Sequence, residues 1–354
     1  MAALLASALL LASAACSASP SPPAGQGPGA TAGTIEIGPP PATLPPASAT
    51  TNVASASTVA ASTAPPSTPA PVTAPPVTVA CDQTDGVLTT PSGRHVLVRA
   101  AGAAPGSPLV LVLHGYTGTP TGIEKFAELT AAANAASVVV AYPEGTPVQE
   151  YTGFGWATGA GIFSTSGVDD AAALVEMLDA IIATGCVDPA HVVLAGESNG
   201  AAMSLVAVCD SRLRDRIESV VMVIPAVDGG VLGHCAPGGR AVPLTVVAGV
   251  LDQTAPYEGG RATLLPQEEW FAGAATLLNG CAGGEGVWAP VDAHVRRLTP
   301  NTCGVCTQFL AVDDGTHTWP GSSRGTGGLR PGTFDLTRRL VALAASRRPG
   351  CLAN

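Results

Sequence analysis

From residue 109 to residue 312 the chain repeats one pattern: a short, unbroken apolar run, then a longer segment with helical spacing. Leu109-Val110-Leu111-Val112-Leu113 reads as a buried strand, and Ile123 to Ala135 as the helix after it. Ser137-Val138-Val139-Val140-Ala141-Tyr142 is the next strand, and Val168 to Ala183 a helix opened by Asp169-Asp170 and ended near Gly185. Val192 to Ala195 is a strand, with a helix over Ala201 to Val208. Val220 to Ile224, Leu244 to Ala248 and Cys306 to Val312 complete the strands, and Phe334 to Ser346 closes the chain as a helix. Strands that are apolar on both faces and separated by helices predict an α/β fold, with a mostly parallel central sheet and helices on both faces.

The first 80 residues break this pattern. Ala2 to Ala15 is a run of small and apolar residues, too short to cross a bilayer, and reads as a signal peptide over residues 1–15. Cys16 follows two alanines, as in a bacterial lipobox, which predicts a lipidated Cys16 at the mature N-terminus. Ser13 stands where that pattern prefers Leu, and no basic residue precedes the run. Residues 17–80 hold 15 of the 32 prolines, and Glu36 is their sole charge. Such a stretch cannot bury a core, so residues 16–80 are expected to form a disordered Pro/Ala/Ser/Thr linker. In polyproline form it would reach at most ~200 Å. The folded domain is expected over residues 81–354.

Composition narrows the function. Only 12% of residues are charged and the formal net charge is −10, which argues against a nucleic-acid partner. No internal run is long and apolar enough to span a membrane, so the expected membrane association is through a lipid anchor at Cys16. Of nine cysteines, Cys16 leaves eight, an even set that suggests disulfides in an exported protein. Cys303-Gly-Val-Cys306 has no second Cys-x-x-Cys and no nearby His pair, so no zinc site is expected. The expected location is extracellular, tethered as a lipoprotein or otherwise secreted.

The chemistry centres on Gly196-Glu197-Ser198-Asn199-Gly200, between the Val192–Ala195 strand and the helix from Ala201. A Gly-x-Ser-x-Gly in a strand-to-helix turn is the nucleophile elbow of α/β-hydrolases, which lifts the serine oxygen above the sheet edge. A serine nucleophile needs a base and a carboxylate to orient it, in the chain order Ser, Asp or Glu, His. Three histidines lie downstream: His234, His294 and His317. His317 follows the last strand, where the base belongs; His234 reads as a surface residue and His294 as a solvated strand position. Asp252 follows Leu244 to Val250 and is the candidate acid, with Asp228 its rival. Asp313 and Asp314 sit too near His317 in sequence and are expected to shape its loop. An oxyanion hole needs two N–H donors. Asn199 is one candidate, and Tyr116 in His114-Gly115-Tyr116-Thr117-Gly118 the other, with Thr117 close behind. His114 is expected to hold that loop by hydrogen bonding.

Taken together, Leu111-Val112-Leu113-His114-Gly115-Tyr116, Tyr142-Pro143-Glu144-Gly145, the Ser198 pentapeptide and His317-Thr318-Trp319-Pro320-Gly321 resemble the polyhydroxybutyrate depolymerase and feruloyl or acetylxylan esterase family. Asp252-Gln253-Thr254-Ala255-Pro256-Tyr257 resembles its acid loop, Asp-x-x-Val-Pro-Tyr, although Leu251 replaces a small residue and Ala248-Gly249-Val250 replaces His-Gly-Thr. The resemblance covers about residues 81–346. It implies a serine esterase of Ser198, His317 and Asp252 that needs no metal or organic cofactor. Its substrates would be polyhydroxyalkanoate oligomers or feruloyl- and acetyl-type esters. It also implies a Cys209–Cys235 pair, and Cys281 paired with Cys303 or Cys306. The alternatives are an inactive hydrolase-fold binding protein, and an acyltransferase or peptidase on the same fold.

Overall fold

The computed structural model describes residues 81, 85–149, 151–159, 167–236, 238–282, 286–324 and 334–353. The expected signal peptide, the lipidation site at Cys16 and the linker lie outside these residues. The described elements are strands β1 (Gly86–Thr89), β2 (His95–Arg99), β3 (Ser107–Leu113), β4 (Val139–Pro143), β5 (Thr146–Pro147), β6 (Phe154–Gly155), β7 (Val187–Glu197), β8 (Ser219–Val223), β9 (Leu244–Gly249), β10 (Val287–Pro290), β11 (Val295–Thr299) and β12 (Thr307–Val312). The helices are α1 (Pro120–Ala127), α2 (Leu129–Ala135), α3 (Asp170–Ile182), α4 (Asn199–Cys209), α5 (Ser211–Arg214), α6 (Gln267–Asn279) and α7 (Leu336–Ser346).

Ten strands form one sheet in the order β1-β2-β4-β3-β7-β8-β9-β12-β11-β10. The six from β4 to β12 in that order are mutually parallel, and the outer four are antiparallel additions. Successive side chains of a strand point to opposite faces, so a continuous apolar run fills two cores. Leu109, Leu111, Val192 and Leu194 pack on the face covered by α3, α4 and α6. Val110, Val112, Val193 and Ala195 pack on the face covered by α1, α2 and α7. This is the α/β-hydrolase fold.

Local chemistry fixes the helix ends. Asp169 caps α3, its carboxylate accepting from the Ala172 N–H at 2.9 Å, and Asp335 caps α7 in the same way from Arg338. The helix expected from Ile123 to Ala135 is two helices. The chain turns left-handed at Glu128 (φ 52°), whose carboxylate accepts from the backbone and hydroxyl of Ser323. Every residue of α4 from Asn199 to Val208 is buried, which explains why its sequence has no polar face.

Candidate active site

Four loops at the carboxyl ends of β3, β7, β9 and β12 converge on one cavity of about 570 Å³. Ser198 sits at the tip of β7 with φ 54° and ψ −114°, a conformation that side-chain-bearing residues rarely adopt. Its N–H donates to the Val223 carbonyl of β8 at 3.0 Å, and its carbonyl accepts from Ala201, Ala202 and Ala226. Both flanking glycines are needed for space. A Cβ on Gly196 would lie 2.2 Å from the Gly200 carbonyl oxygen, and one on Gly200 would lie 2.5 Å from the carbonyl oxygens of Leu113 and His114. Asn199 opens α4, so its backbone N–H has no acceptor within the helix.

His317 and Asp252 meet. The two Asp252 carboxylate oxygens divide their work: Oδ1 accepts from the Thr254 and Ala255 N–H groups at 2.7 and 2.9 Å, and Oδ2 lies 2.6 Å from His317 Nδ1. That pairing places the proton on Nδ1 and leaves Nε2 as the basic nitrogen. The backbone joins the two loops: Val250 donates to the Val312 carbonyl and Leu251 to that of Gly315, at 2.9 and 2.8 Å. His317 and Ser198 line the same cavity. Among the described residues no hydrogen bond joins them, which is common before a substrate closes the site.

The rival residues are engaged elsewhere. Asp228 is buried in a turn, accepting from the Gly230 N–H at 2.9 Å. His234 is exposed. His294 pairs with Asp314 at 3.4 Å, and Asp313 with Arg296 at 2.8 Å, so both aspartates tie the His317 loop to its neighbour β11.

The loop after β3 is a tight turn in which the Gly118 N–H donates to the Gly115 carbonyl, with Thr117 left-handed at φ 62°. His114 holds it from beneath. Its Nδ1 donates to the Gly115 carbonyl at 2.8 Å, and its Nε2 accepts from the Gly145 N–H at 3.1 Å. That pattern requires a neutral ring, and burial lowers the His114 pKa to about 4. Tyr116 and Thr117, the two oxyanion candidates of this loop, are held by these contacts, and Tyr116 lines the cavity.

Two contributors escaped the sequence reading. Trp156 is fully buried and binds both the β3–α1 loop and Asn199, the two candidate oxyanion elements. Its indole N–H donates to the His114 carbonyl at 2.8 Å, while its backbone exchanges hydrogen bonds with the Asn199 side chain at 2.7 and 3.2 Å. Glu197, just before Ser198, places Oε1 3.7 Å from His317 Nε2, with its side chain only 13% exposed. Its carboxylate packs against Gly115, where a Cβ would lie 2.3 Å from Oε2, and burial raises its pKa. A charge within the pentapeptide itself was the available signal for Glu197; Trp156, in a short two-stranded insertion, left none.

The elbow, the strand order and the converging loops define an α/β-hydrolase. Among curated proteins, "Putative esterase NocK" of Nocardia uniformis subsp. tsuyamanensis is 30% identical over 279 residues, which span 71% of this chain and 75% of that protein. The chain belongs to this esterase family of α/β-hydrolases, enzymes that cleave carboxylic esters. No family model matches the sequence. Similar solved structures include an acetyl xylan esterase from Aspergillus awamori (16% identity, TM-score 0.48, covering 66% of this chain and 94% of that one). Another is an S-formylglutathione hydrolase from Agrobacterium tumefaciens (13% identity, TM-score 0.49, covering 72% and 90%).

Proposed function

We propose that the protein is an exported serine esterase in which Ser198 is the nucleophile, His317 the base and Asp252 the orienting acid. The observation that carries this reading is the 2.6 Å Asp252–His317 hydrogen bond at the wall of the cavity that Ser198 enters. Ser198 Oγ attacks the ester carbonyl carbon while His317 Nε2 takes its proton. The oxyanion that forms is held by the Tyr116 and Asn199 N–H groups. As the tetrahedral intermediate collapses, the C–O bond to the alcohol breaks and His317 returns the proton to the leaving oxygen. Water then attacks the acyl-enzyme carbonyl, again losing its proton to His317, and the acid departs as Ser198 Oγ is reprotonated.

Substrates in this reading are hydroxyalkanoate oligomers or feruloyl- and acetyl-type esters, the classes implied by the resemblance of the motif set. Eight cysteines joined in four disulfides support an oxidising, extracellular location. Among the described residues no helix is long and apolar enough to cross a membrane, and the proposed attachment is lipid on Cys16.

Ser198→Ala tests the mechanism. The variant is expected to lose at least about 10³-fold in p-nitrophenyl acetate turnover and all labelling by a fluorophosphonate probe. A variant that keeps the parental rate removes Ser198 from the mechanism.

A further inference from the structure

The cavity is lined by one arginine that has no carboxylate partner among the described residues. Arg261 lines it together with Ser198, Glu197 and His317. Eight other arginines are held within 3.7 Å of a carboxylate. Among the described residues Arg261 has no such partner. Its one hydrogen bond there runs from Nη1 to the Gln253 carbonyl at 2.8 Å, which uses one of the five N–H donors of a guanidinium.

The segment that presents it is pinned rather than loose. The Gly260 N–H donates to the Leu264 carbonyl and the Leu264 N–H to that of Arg261, both at 3.1 Å. The Leu265 N–H reaches the Val227 carbonyl at 3.1 Å, and Leu264 bridges to Asp228. Ala262, next to the arginine, is held left-handed at φ 54°, a conformation that persists only where its surroundings impose it. Tyr116, Ile123 and Phe126 add mainly apolar surface to the lining, as do Ala262 and Leu264 close to Arg261 in the chain. The whole chain, at −10, repels anions, so an acidic substrate needs a local counter-charge to settle there.

We propose that Arg261 is a specificity residue which pairs with a carboxylate borne by the ester substrate. The preferred substrates are then esters that also carry a free acid, such as half-esters of dicarboxylic acids and acid-terminated hydroxyacid oligomers. The planar guanidinium fork matches a carboxylate in a bidentate pair. The apolar walls accept the chain between the two functional groups. This inference rests on Ser198 being the nucleophile of the same cavity.

The test uses the full chain and the monoethyl esters of succinic, adipic and suberic acids. Each is compared with the analogue whose free acid is a primary amide, so that the pair differs in charge and not in reach. In at least one pair the acid is expected to be favoured about tenfold in kcat/KM, equivalent to about 1.4 kcal/mol. Added salt should shrink that preference. Arg261→Gln should bring the ratio close to one, and Arg261→Lys should retain part of it. The ratio is taken within one preparation, so loss of folded enzyme cancels. For a pair that is not cleaved, competitive inhibition of p-nitrophenyl acetate hydrolysis gives the same comparison. Equal handling of acid and amide at every length, or a preference that survives Arg261→Gln, overturns the proposal. If Ser198→Ala still turns over the neutral ester, the nucleophile assignment fails instead, whatever Arg261 does.

Discussion

Asp252 spends one carboxylate oxygen on its own turn and the other on His317, so the imidazole is held at Nδ1 and its Nε2 is aimed away from the acid. Under the proposed mechanism activity is therefore expected to fall as pH drops, because a protonated ring cannot take the serine proton. Glu197 stands against the same ring, its Oε1 3.7 Å from Nε2. Glu197→Gln keeps the size of the side chain and is expected to lower kcat/KM for p-nitrophenyl acetate severalfold. A variant with the parental kcat/KM would mean that Glu197 acts only by packing. The convergence of Ser198, Asp252 and His317 was legible because their chain order and their positions after strands carry the information. Glu197 was not assigned a role, because its effect depends on two loops, those of Gly115 and His317, that meet it only in the folded chain.

At the scale of elements, unbroken apolar runs located the parallel strands to within a few residues, because burial on both faces leaves no polar position to blur them. The outer strands β1, β2 and β10 were missed, and β11 was read only as a solvated strand position at His294, since one side of each is partly solvated and their runs look mixed. Helix α6 was also missed, as its first turn is the polar Gln267-Glu268-Glu269. The break at Glu128 depends on Ser323, far away in sequence, which no local pattern reports. The β3–α1 loop depends in turn on a single neutral ring. His114 has its pKa lowered to about 4 by burial, against about 6.5 in the unfolded chain. Between those values the unfolded chain binds a proton that the folded one does not, so stability falls as pH falls through that window. The full loss, reached below pH 4, is about 3 kcal/mol. Chemical denaturation between pH 7 and pH 4 should show this slope, and His114→Gln should flatten it. An equal slope in the variant would assign the acid sensitivity to other groups.

Across the whole molecule, the four disulfides connect regions that the sheet alone leaves to weaker contacts. Cys209–Cys235 follows the pairing that the family resemblance implied, and Cys281 takes Cys303 of the two partners left open. Cys306 joins Cys351 and so fastens the C-terminal segment to the start of β12, which puts the two cysteines of the Cys-x-x-Cys in separate bridges. Cys81–Cys186 closes the longest span, 105 residues, from the start of the described domain to the residue before β7. That span contains β1 to β6 and the His114 loop, so this bridge restrains those elements in the unfolded chain. Loop-closure entropy grows with the logarithm of the closed length. The double variant Cys81→Ala/Cys186→Ala is therefore expected to lose more stability than Cys281→Ala/Cys303→Ala, whose span is 22 residues. From the two lengths the difference is about 1.4 kcal/mol, on top of about 2–4 kcal/mol for either bridge. Urea unfolding of the two variants beside the parent measures it directly. If the short-span variant is the weaker of the two, native-state packing around Cys281, next to the buried Asn279 and Leu278, outweighs chain entropy in setting what a bridge contributes here.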